Sequence, residues 1–146
     1  MEIKLLDQKD ILSEVEELRN DAFNIDDEFS TDSYKNKFKD HQLLILGAFI
    51  EGKLVGALYF SPFFSTNGYI EQLFVRKEFQ NCSFHVGTSL LQYLEDNIED
   101  IEDYFKRYFT RLYIEYKNEK SERVYLNAGF RYTKLDGTLT KEIGIK

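Results

Sequence analysis

The sequence contains few of the residues that mark secreted or disordered chains. It has a single cysteine, a single proline and no tryptophan in 146 residues. One cysteine, Cys82, cannot form an internal disulfide, so we expect a reduced, cytoplasmic compartment. With 31% charged and 16% aromatic residues, the chain also differs from the polar, proline-rich composition of disordered segments. We therefore expect it to fold.

Long hydrophobic runs and an excess of positive charge are also missing. The chain has no apolar run of 18 residues, and its first residues lack the apolar stretch of a signal peptide, so we expect no membrane partner. The 26 acidic residues outnumber the 19 lysines and arginines, which gives a formal net charge of −7. This charge disfavours contact with the phosphates of nucleic acids and suits small cationic molecules better.

The length fits a single domain over residues 1–146, since chains near this size bury most of the surface that they expose when unfolded. The apolar periodicities predict a strand, two helices, three strands, a long helix, a strand, a helix and two strands. Their ranges are 2–6, 11–23, 31–38, 43–50, 54–60, 69–75, 86–105, 111–116, 118–127, 130–132 and 138–143. This order predicts an α/β or α+β fold with a mixed sheet.

Two local patterns are clear within this order. The residues Glu51-Gly52-Lys53 separate two apolar runs and predict a hairpin closed by a turn that contains glycine. The long helix is amphipathic, and its acidic residues predict a solvated outer face rather than a docking site for a basic partner. These residues are Glu95, Asp96, Glu99, Asp100, Glu102 and Asp103.

The junction between the predicted strand 69–75 and the helix that begins at Val86 has the features of an anion site. The first turn of a helix exposes unpaired backbone N–H groups and the positive end of the helix dipole. We therefore expect a phosphate to bind near Gly87. Close packing of the helix on the strand is an alternative reason for this glycine, because every such junction offers free amides.

Three polar side chains follow the predicted strand 111–116. The spacing of Asn118, Ser121 and Tyr125 places them on one face of a helix. Two purely structural explanations remain open from the periodicity. Asn118 could be only the N-cap of the helix, and Tyr125 could pack its ring in the core and present only its hydroxyl.

Together these two segments resemble the GNAT superfamily of acyl-CoA-dependent N-acyltransferases. The family pattern Asn-x-x-Ala-x-x-x-Tyr-x-x-x-Gly-Phe is met at Asn118, Tyr125, Gly129 and Phe130, with Ser121 in the place of the alanine. The resemblance covers nearly the whole chain and is strongest over residues 68–130. It implies a mixed, mostly antiparallel sheet of about six to seven strands flanked by about four helices.

The phosphate loop departs from the family pattern Gln/Arg-x-x-Gly-x-Gly/Ala. Gln80 lies seven residues before Gly87, and His85 stands in the place of the first glycine. Strict spacing puts Cys82 in the Gln/Arg place, so the loop is either two residues longer or differently wound. His85 is expected either to contact a phosphate or to face solvent.

The resemblance implies transfer of an acetyl group from acetyl-CoA to a primary amine of a small molecule or peptide. Tyr125 is then the general acid for the leaving thiolate, and Glu71 is the general base, directly or through a water. Pairing with a lysine or arginine is the alternative explanation for Glu71. The coenzyme is expected to contact Leu73, Phe74, Val75, Gln80, His85, Val86, Gly87, Thr88, Asn118 and Ser121.

The acceptor side is less clearly marked. Asp26, Asp27 and Glu28 resemble a substrate-side loop of the family and are expected either to attract a cationic amine or to form a solvated turn. Phe63 and Phe64 are expected either to wall the acceptor pocket or to be buried. We expect no metal, and a monomer or a homodimer. The alternative function is a catalytically silent acyl-CoA-binding sensor or interaction module, which the atypical loop suggests.

Overall fold

The computed structural model describes residues 1–6, 12–23, 36–40, 42–80 and 85–143. The strands in these ranges are β1 (Glu2–Leu6), β2 (Leu44–Ile50), β3 (Lys53–Pro62), β4 (Asn67–Val75), β5 (Arg111–Glu115), β6 (Arg131–Tyr132) and β7 (Thr138–Glu142). The helices are α1 (Leu12–Phe23), α2 (Val86–Asp96), α3 (Ile98–Phe105) and α4 (Glu119–Asn127). Residues 36–39 are also helical, and a 3-10 turn covers Lys77–Phe79.

The strands form one seven-stranded sheet in the order β1-β2-β3-β4-β5-β7-β6. Among the strand pairs of this sheet, β4 and β5 run parallel and the others run antiparallel. The β2–β3 hairpin turns at Glu51 and Gly52, whose φ angles of 51° and 78° are the positive pair that a type I′ turn requires. The predicted mixed, mostly antiparallel sheet is therefore confirmed.

Apolar side chains fill both faces of the sheet. One cluster lies between the sheet and α2, α3 and α4, and it includes Phe60, Ile70, Leu90, Ile101, Leu112 and Tyr125. The other lies on the opposite face beside α1, and it includes Val15, Leu18, Phe38, Tyr59 and Phe74. Each fully buried side chain of this size contributes roughly 1.5–3 kcal/mol to folding, so the two clusters fix the helices on the sheet.

A glycine sets the distance between α2 and the sheet. A Cβ atom on Gly56 of β3 would lie 2.6 Å from Val86 Cγ1 and 3.4 Å from the carbonyl oxygen of Phe74. No real Cβ approaches another atom as closely as the first of these distances. Glycine at this position therefore allows the first turn of α2 to lie directly beside the end of β4.

The sheet opens between β4 and β5. Their parallel pairing runs from Asn67↔Arg111 to Ile70↔Ile114. β4 continues to Val75 alongside β3, and a bulge at Glu71 interrupts that ladder, since Phe60 pairs with Ile70 and Tyr59 with Gln72. Beyond the last β4–β5 pair, the two strands separate and leave one edge of β4 uncovered by β5.

The predicted long helix is two helices that meet at Asn97. This residue has non-helical φ and ψ angles of −114° and 24°, and its Nδ2 donates to the carbonyl oxygen of Tyr93 at 3.0 Å. An asparagine side chain that bonds the backbone in this way competes with the helical ladder. The outer face also differs from prediction at Glu102, which is 8% exposed and accepts the backbone N–H of Phe109 at 2.8 Å.

Within the described ranges, the helices are all too short or too polar to span a bilayer. The same residues contain no group of three or more His, Cys, Asp or Glu side chains placed to hold a metal ion.

Candidate active site

A cleft of about 240 Å³ lies where β4 separates from β5. Its walls are the carboxyl end of β4, the first turn of α2 and one face of α4. The residues predicted to contact the coenzyme all line it, together with Tyr125: Leu73, Phe74, Val75, Gln80, His85, Val86, Gly87, Thr88, Asn118 and Ser121. The structure thus brings together two sequence segments that are about 30 residues apart.

The exposed edge of β4 presents backbone hydrogen-bonding groups to this cleft. The N–H of Arg76 donates to the carbonyl oxygen of Val55 on β3 at 2.8 Å. Because neighbouring residues of a strand direct their backbone groups to opposite sides, the N–H groups of Leu73 and Val75 point away from β3. This is the side from which β5 has separated, so these amides face the cleft.

The amino end of α2 contributes further backbone donors. Its first helical hydrogen bond runs from Ser89 N–H to the carbonyl oxygen of His85 at 3.0 Å. The N–H groups of Val86, Gly87 and Thr88 therefore have no partner within the helix. The His85 side chain does not cap this end, and the three amides and the positive end of the helix dipole are directed at the cleft.

His85 has the backbone conformation of a glycine. Its φ and ψ angles of 49° and 53° lie in the left-handed region, which glycine adopts at little cost and which other residues rarely occupy. The family pattern has a glycine at this place, and the chain keeps the corresponding backbone conformation with an exposed histidine. The left-handed conformation that glycine favours is thus present immediately before α2, although the residue is a histidine.

Gln80 binds the backbone of the strand it follows. Its Nε2 donates to the carbonyl oxygen of Val75 at 2.8 Å, and the carbonyl oxygen of Ala22 lies 3.5 Å away. The side chain therefore closes the end of β4 and borders the cleft. Cys82, the other candidate for this place in the loop, lies outside the described residues.

On the α4 side, Asn118 and Ser121 form a capping box. Asn118 Oδ1 accepts the N–H of Ser121 at 2.8 Å, and Ser121 Oγ lies 3.3 Å from the N–H of Asn118. Asn118 is therefore the N-cap of α4, because its side-chain oxygen accepts a backbone N–H of the first turn. Both residues line the cleft at the same time, so one pair of side chains both starts α4 and borders the site.

Tyr125 lies one turn further along α4 and is 7% exposed. Its ring belongs to the core cluster and lies 6.3 Å, between centroids, from the ring of Phe130. Burial raises the pKa of Tyr125 to about 12. Its hydroxyl makes no hydrogen bond to another described residue, so a proton donor that stays protonated at neutral pH borders the cleft.

Glu71 lies in the β4 bulge and points toward the second helical segment of the chain. Its Oε1 lies 3.2 Å from Lys37 Nζ, and its side chain is 15% exposed. Within the described part of the chain, its Oε2 is buried and has no hydrogen-bond partner. The ion pair predicted as the alternative is present, and it engages Oε1 and not the buried Oε2.

The end of β4 is held by Arg76, which is 8% exposed. Its guanidinium donates to both carboxylate oxygens of Glu17 on α1 at 3.0 and 2.9 Å, and to the carbonyl oxygen of Leu54 on β3 at 3.1 Å. The hydrogen bonds between the two side chains raise the pKa of Arg76 and lower the pKa of the Glu17 carboxyl. The edge that carries the cleft amides is thereby fixed to α1 and β3.

The residues predicted for the acceptor lie apart from this cleft. Phe63 and Phe64 are 51% and 79% exposed, so neither is buried. They line a separate hollow together with Tyr69, Tyr113, Glu115 and Leu135. Asp26, Asp27 and Glu28 lie outside the described residues.

Two lysines at the site were not predicted. Lys120 lines the coenzyme cleft beside the capping box, and a cation in the first turn of α4 was a sequence signal that could have been used. Lys37 was not detectable, because its partner Glu71 is 34 positions away in sequence.

Comparisons with known proteins place the chain. The model of the acetyltransferase (GNAT) family matches residues 12–130. PaiA N-acetyltransferase from Thermoplasma acidophilum, crystallised in complex with coenzyme A, has 17% identity and a TM-score of 0.68, with 97% of this chain and 99% of that chain covered. No curated protein matches the sequence.

Two further solved structures share the fold along almost their whole length. The ribosomal-protein-S18-alanine N-acetyltransferase of Escherichia coli has 15% identity and a TM-score of 0.72, covering 99% of this chain and 95% of that one. An aminoglycoside 6'-N-acetyltransferase complexed with coenzyme A has 15% identity and a TM-score of 0.73, covering 100% and 99%. Because the family model covers most of the sequence, the chain belongs to the acetyltransferase (GNAT) family, which confirms the predicted resemblance.

Proposed function

We propose that this acetyltransferase transfers the acetyl group of acetyl-CoA to a primary amine of a small molecule or peptide by direct attack. The observation that carries this proposal is the single cleft that gathers the β4 edge, the α2 amino end and Tyr125. Two relatives of the same fold, the PaiA N-acetyltransferase and the aminoglycoside 6'-N-acetyltransferase, were crystallised with coenzyme A.

The cleft has donors suited to each part of the coenzyme. The three amides of α2 and the ammonium of Lys120 suit the pyrophosphate, because anions bind where helix N–H groups and cations converge. The β4 amides suit the pantetheine arm, which carries amide groups of its own. Gly87 borders this path, and a Cβ at this position would lie at an ordinary contact distance of 3.9 Å from the side chains of Leu73 and Val75.

Acetyl-CoA supplies the acetyl group as a thioester, which is activated toward an amine. The N–H groups of Leu73 and Val75 are the donors placed to stabilise negative charge on the carbonyl oxygen. Such donors are effective because they are already oriented before the reaction and need no rearrangement.

Tyr125 is the proposed proton donor to the leaving sulfur. The pKa of Tyr125 is about 12 and that of an ordinary thiol is about 8.5. Complete transfer of the proton from Tyr125 to the thiolate therefore costs about 5 kcal/mol of free energy. The buried cleft also raises the pKa of a thiol held in it, which narrows this gap. Tyr125 therefore acts mainly as a hydrogen-bond donor whose proton passes late, as the sulfur departs.

Glu71 is the proposed base for the incoming amine, directly or through a water. Lys37 holds Oε1 and fixes the orientation of the carboxylate, while the buried Oε2 has no described partner and can accept an N–H or a water proton.

The test combines binding and turnover. Thermal unfolding with acetyl-CoA at about 100 times its dissociation constant should show roughly 2.7 kcal/mol of stabilisation, and thiol release should follow when a panel of primary amines is added. A Glu71→Gln variant should keep the shift and lose most of the turnover. Turnover at the parental rate in that variant would remove Glu71 as the base.

The second candidate is a silent acyl-CoA-binding sensor, motivated by the departure of the phosphate loop from the family's sequence pattern, with His85 in the place of a glycine. A thermal shift with acetyl-CoA but no thiol release with any amine would support it. No shift at millimolar acetyl-CoA would contradict both candidates.

A further inference from the structure

A second concave surface lies on the face of the sheet opposite α2, α3 and α4. We call it the aromatic hollow, and its main lining residues are Phe63, Phe64, Tyr69, Tyr113, Glu115 and Leu135. Three of these are among the most exposed large apolar side chains of the described residues: Phe63 at 51%, Phe64 at 79% and Leu135 at 70%. Clustered exposed apolar residues of this kind mark binding surfaces.

The rings of the hollow form one group. The Phe63 ring centroid lies 5.6 Å from that of Tyr69 and 6.2 Å from that of Tyr113. Tyr69 and Tyr113 are direct partners in the β4–β5 ladder, so their positions are fixed by the sheet. The result is a rigid aromatic floor with Phe64 and Leu135 at its rim.

Strand register connects this floor to the proposed base. Glu71 follows Tyr69 by two residues, and Glu115 follows Tyr113 by two, at the point where the two strands separate. Two residues of a regular strand span roughly 7 Å, so Tyr69 and the bulged Glu71 lie at most about this distance apart along β4, within the length of a short arylalkylamine. Along β4, the aromatic floor, the carboxylate and the coenzyme cleft therefore follow one another at Tyr69, Glu71 and Leu73.

The charges at this end of the hollow favour a cation. Glu115 is exposed, lines the hollow and has no ion pair within the described residues, so it can attract a cation, whereas the charge of Glu71 is already balanced by the ammonium of Lys37 at 3.2 Å. The guanidinium of Arg111 is hydrogen-bonded to the side chain of Tyr113 and paired with Glu142 at 2.9 Å, so one cation already lies at the edge of the aromatic floor and is balanced by a carboxylate on β7. Aromatic faces also attract ammonium groups.

We propose that the aromatic hollow binds the acceptor, and that the acceptor is a primary amine bearing an aromatic or flat apolar group next to its ammonium. The ring packs on Phe63, Tyr69 and Tyr113, and the ammonium lies beside Glu115, at the end of the hollow where β4 and β5 separate. This inference rests on the proposed function, since it names the substrate class of the same site.

The experiment compares phenethylamine with butylamine as acceptors. In the parent, kcat/KM for phenethylamine should exceed that for butylamine roughly tenfold or more, because only phenethylamine has a ring to stack. Tyr113→Ala should bring the two values close together. Phe63→Ala, in an exposed loop, should do the same without affecting the strand ladder. Tyr108→Ala, an exposed ring outside the hollow, is the matched control and should leave the ratio unchanged.

A binding measurement separates this inference from the proposed function. Calorimetric titration of both amines into the protein with coenzyme A needs no turnover, and tighter binding of phenethylamine that Phe63→Ala abolishes would support the hollow even in a silent protein. Acetylation of amines without a ring preference, or a preference that survives both variants, would overturn the inference and leave the acetyltransferase intact. Sedimentation showing a dimer that Phe64→Asp dissociates would assign the hollow to a second copy instead.

Discussion

The coenzyme cleft and the aromatic hollow lie on either side of the same opening in the sheet, and they are built from different materials. The cleft combines apolar and polar side chains with backbone N–H groups that are held in place by the ends of β4 and α2. The hollow presents side chains, mostly rings, from strands and loops that are distant in sequence. Contacts made by backbone groups are kept when side chains are substituted, so they suit a constant ligand such as the coenzyme. Contacts made by side chains can be altered by single substitutions.

The largest expected effect tests whether Tyr125, which borders the cleft, is the proton donor in the reaction. Tyr125→Phe should lower kcat about 10² to 10⁴-fold, because the donor to the leaving sulfur is removed. KM for acetyl-CoA and for the amine should change little, since the ring remains. Steady-state kinetics with thiol detection measures this, with Tyr108→Phe as the control. Equal loss in both variants, or none in either, would show that Tyr125 is not the acid.

The second effect concerns the stability that Tyr125 contributes at alkaline pH. Its folded pKa of about 12 lies above the ordinary value of about 10, so the unfolded chain releases this proton first as pH rises. The stabilisation is complete below pH 10 and should decline by up to about 2.7 kcal/mol as pH rises toward 12.

Urea unfolding at several pH values measures this decline. The Tyr125→Phe variant should lack this component and decline less steeply than the parent, while other tyrosines contribute equally to both. Parallel curves for the two proteins would show that burial does not perturb Tyr125 as described.

The third effect tests whether coenzyme binding in the cleft, rather than amine binding in the hollow, depends on the contacts by which Arg76 fixes the end of β4. Arg76→Met should cost about 2 kcal/mol, because a buried charged donor to Leu54 and Glu17 is lost. KM for acetyl-CoA should rise more than KM for the amine. Glu17→Gln, at a more exposed position, should cost less than 1 kcal/mol. A larger rise in KM for the amine than in KM for acetyl-CoA would mean that Arg76 supports the hollow and not the coenzyme cleft.

The smallest effect lies at His85. Replacing a left-handed residue by glycine relieves roughly 1 kcal/mol of strain, so His85→Gly should stabilise the protein and leave or slightly improve coenzyme binding. His85→Ala keeps a Cβ at the same φ and should gain nothing. Weaker coenzyme binding in both variants would instead assign the imidazole a contact with the phosphates.

The fold was predictable because its signals are local. The strand and helix ranges follow from apolar periodicity, and the β2–β3 turn follows from a glycine between two apolar runs. The break at Asn97 was not predictable, since the apolar spacing continues through it. The reason for the break is a side-chain bond to the carbonyl oxygen of Tyr93, which periodicity does not encode.

The coenzyme side of the site was predictable for the same reason. Its residues come from two contiguous segments whose spacing is itself the signal. The acceptor side depends on contacts between distant residues, such as Lys37 with Glu71 and Phe63 with Tyr113. Phe63 was a candidate from the sequence, but its packing against Tyr69 and Tyr113 is seen only in the distances between the rings.

The bulge in β4 has a consequence for how sheet and chemistry are specified. Phe60 pairs with Ile70 and Tyr59 pairs with Gln72, so the residues on both sides of Glu71 have partners on β3. Glu71 itself is the extra residue of the bulge and has no partner in this ladder. The proposed base is thus the one position of the strand whose presence the pairing does not require. In β4, the residues that pair with β3 stabilise the sheet, and a different residue, the proposed base Glu71, accepts the proton.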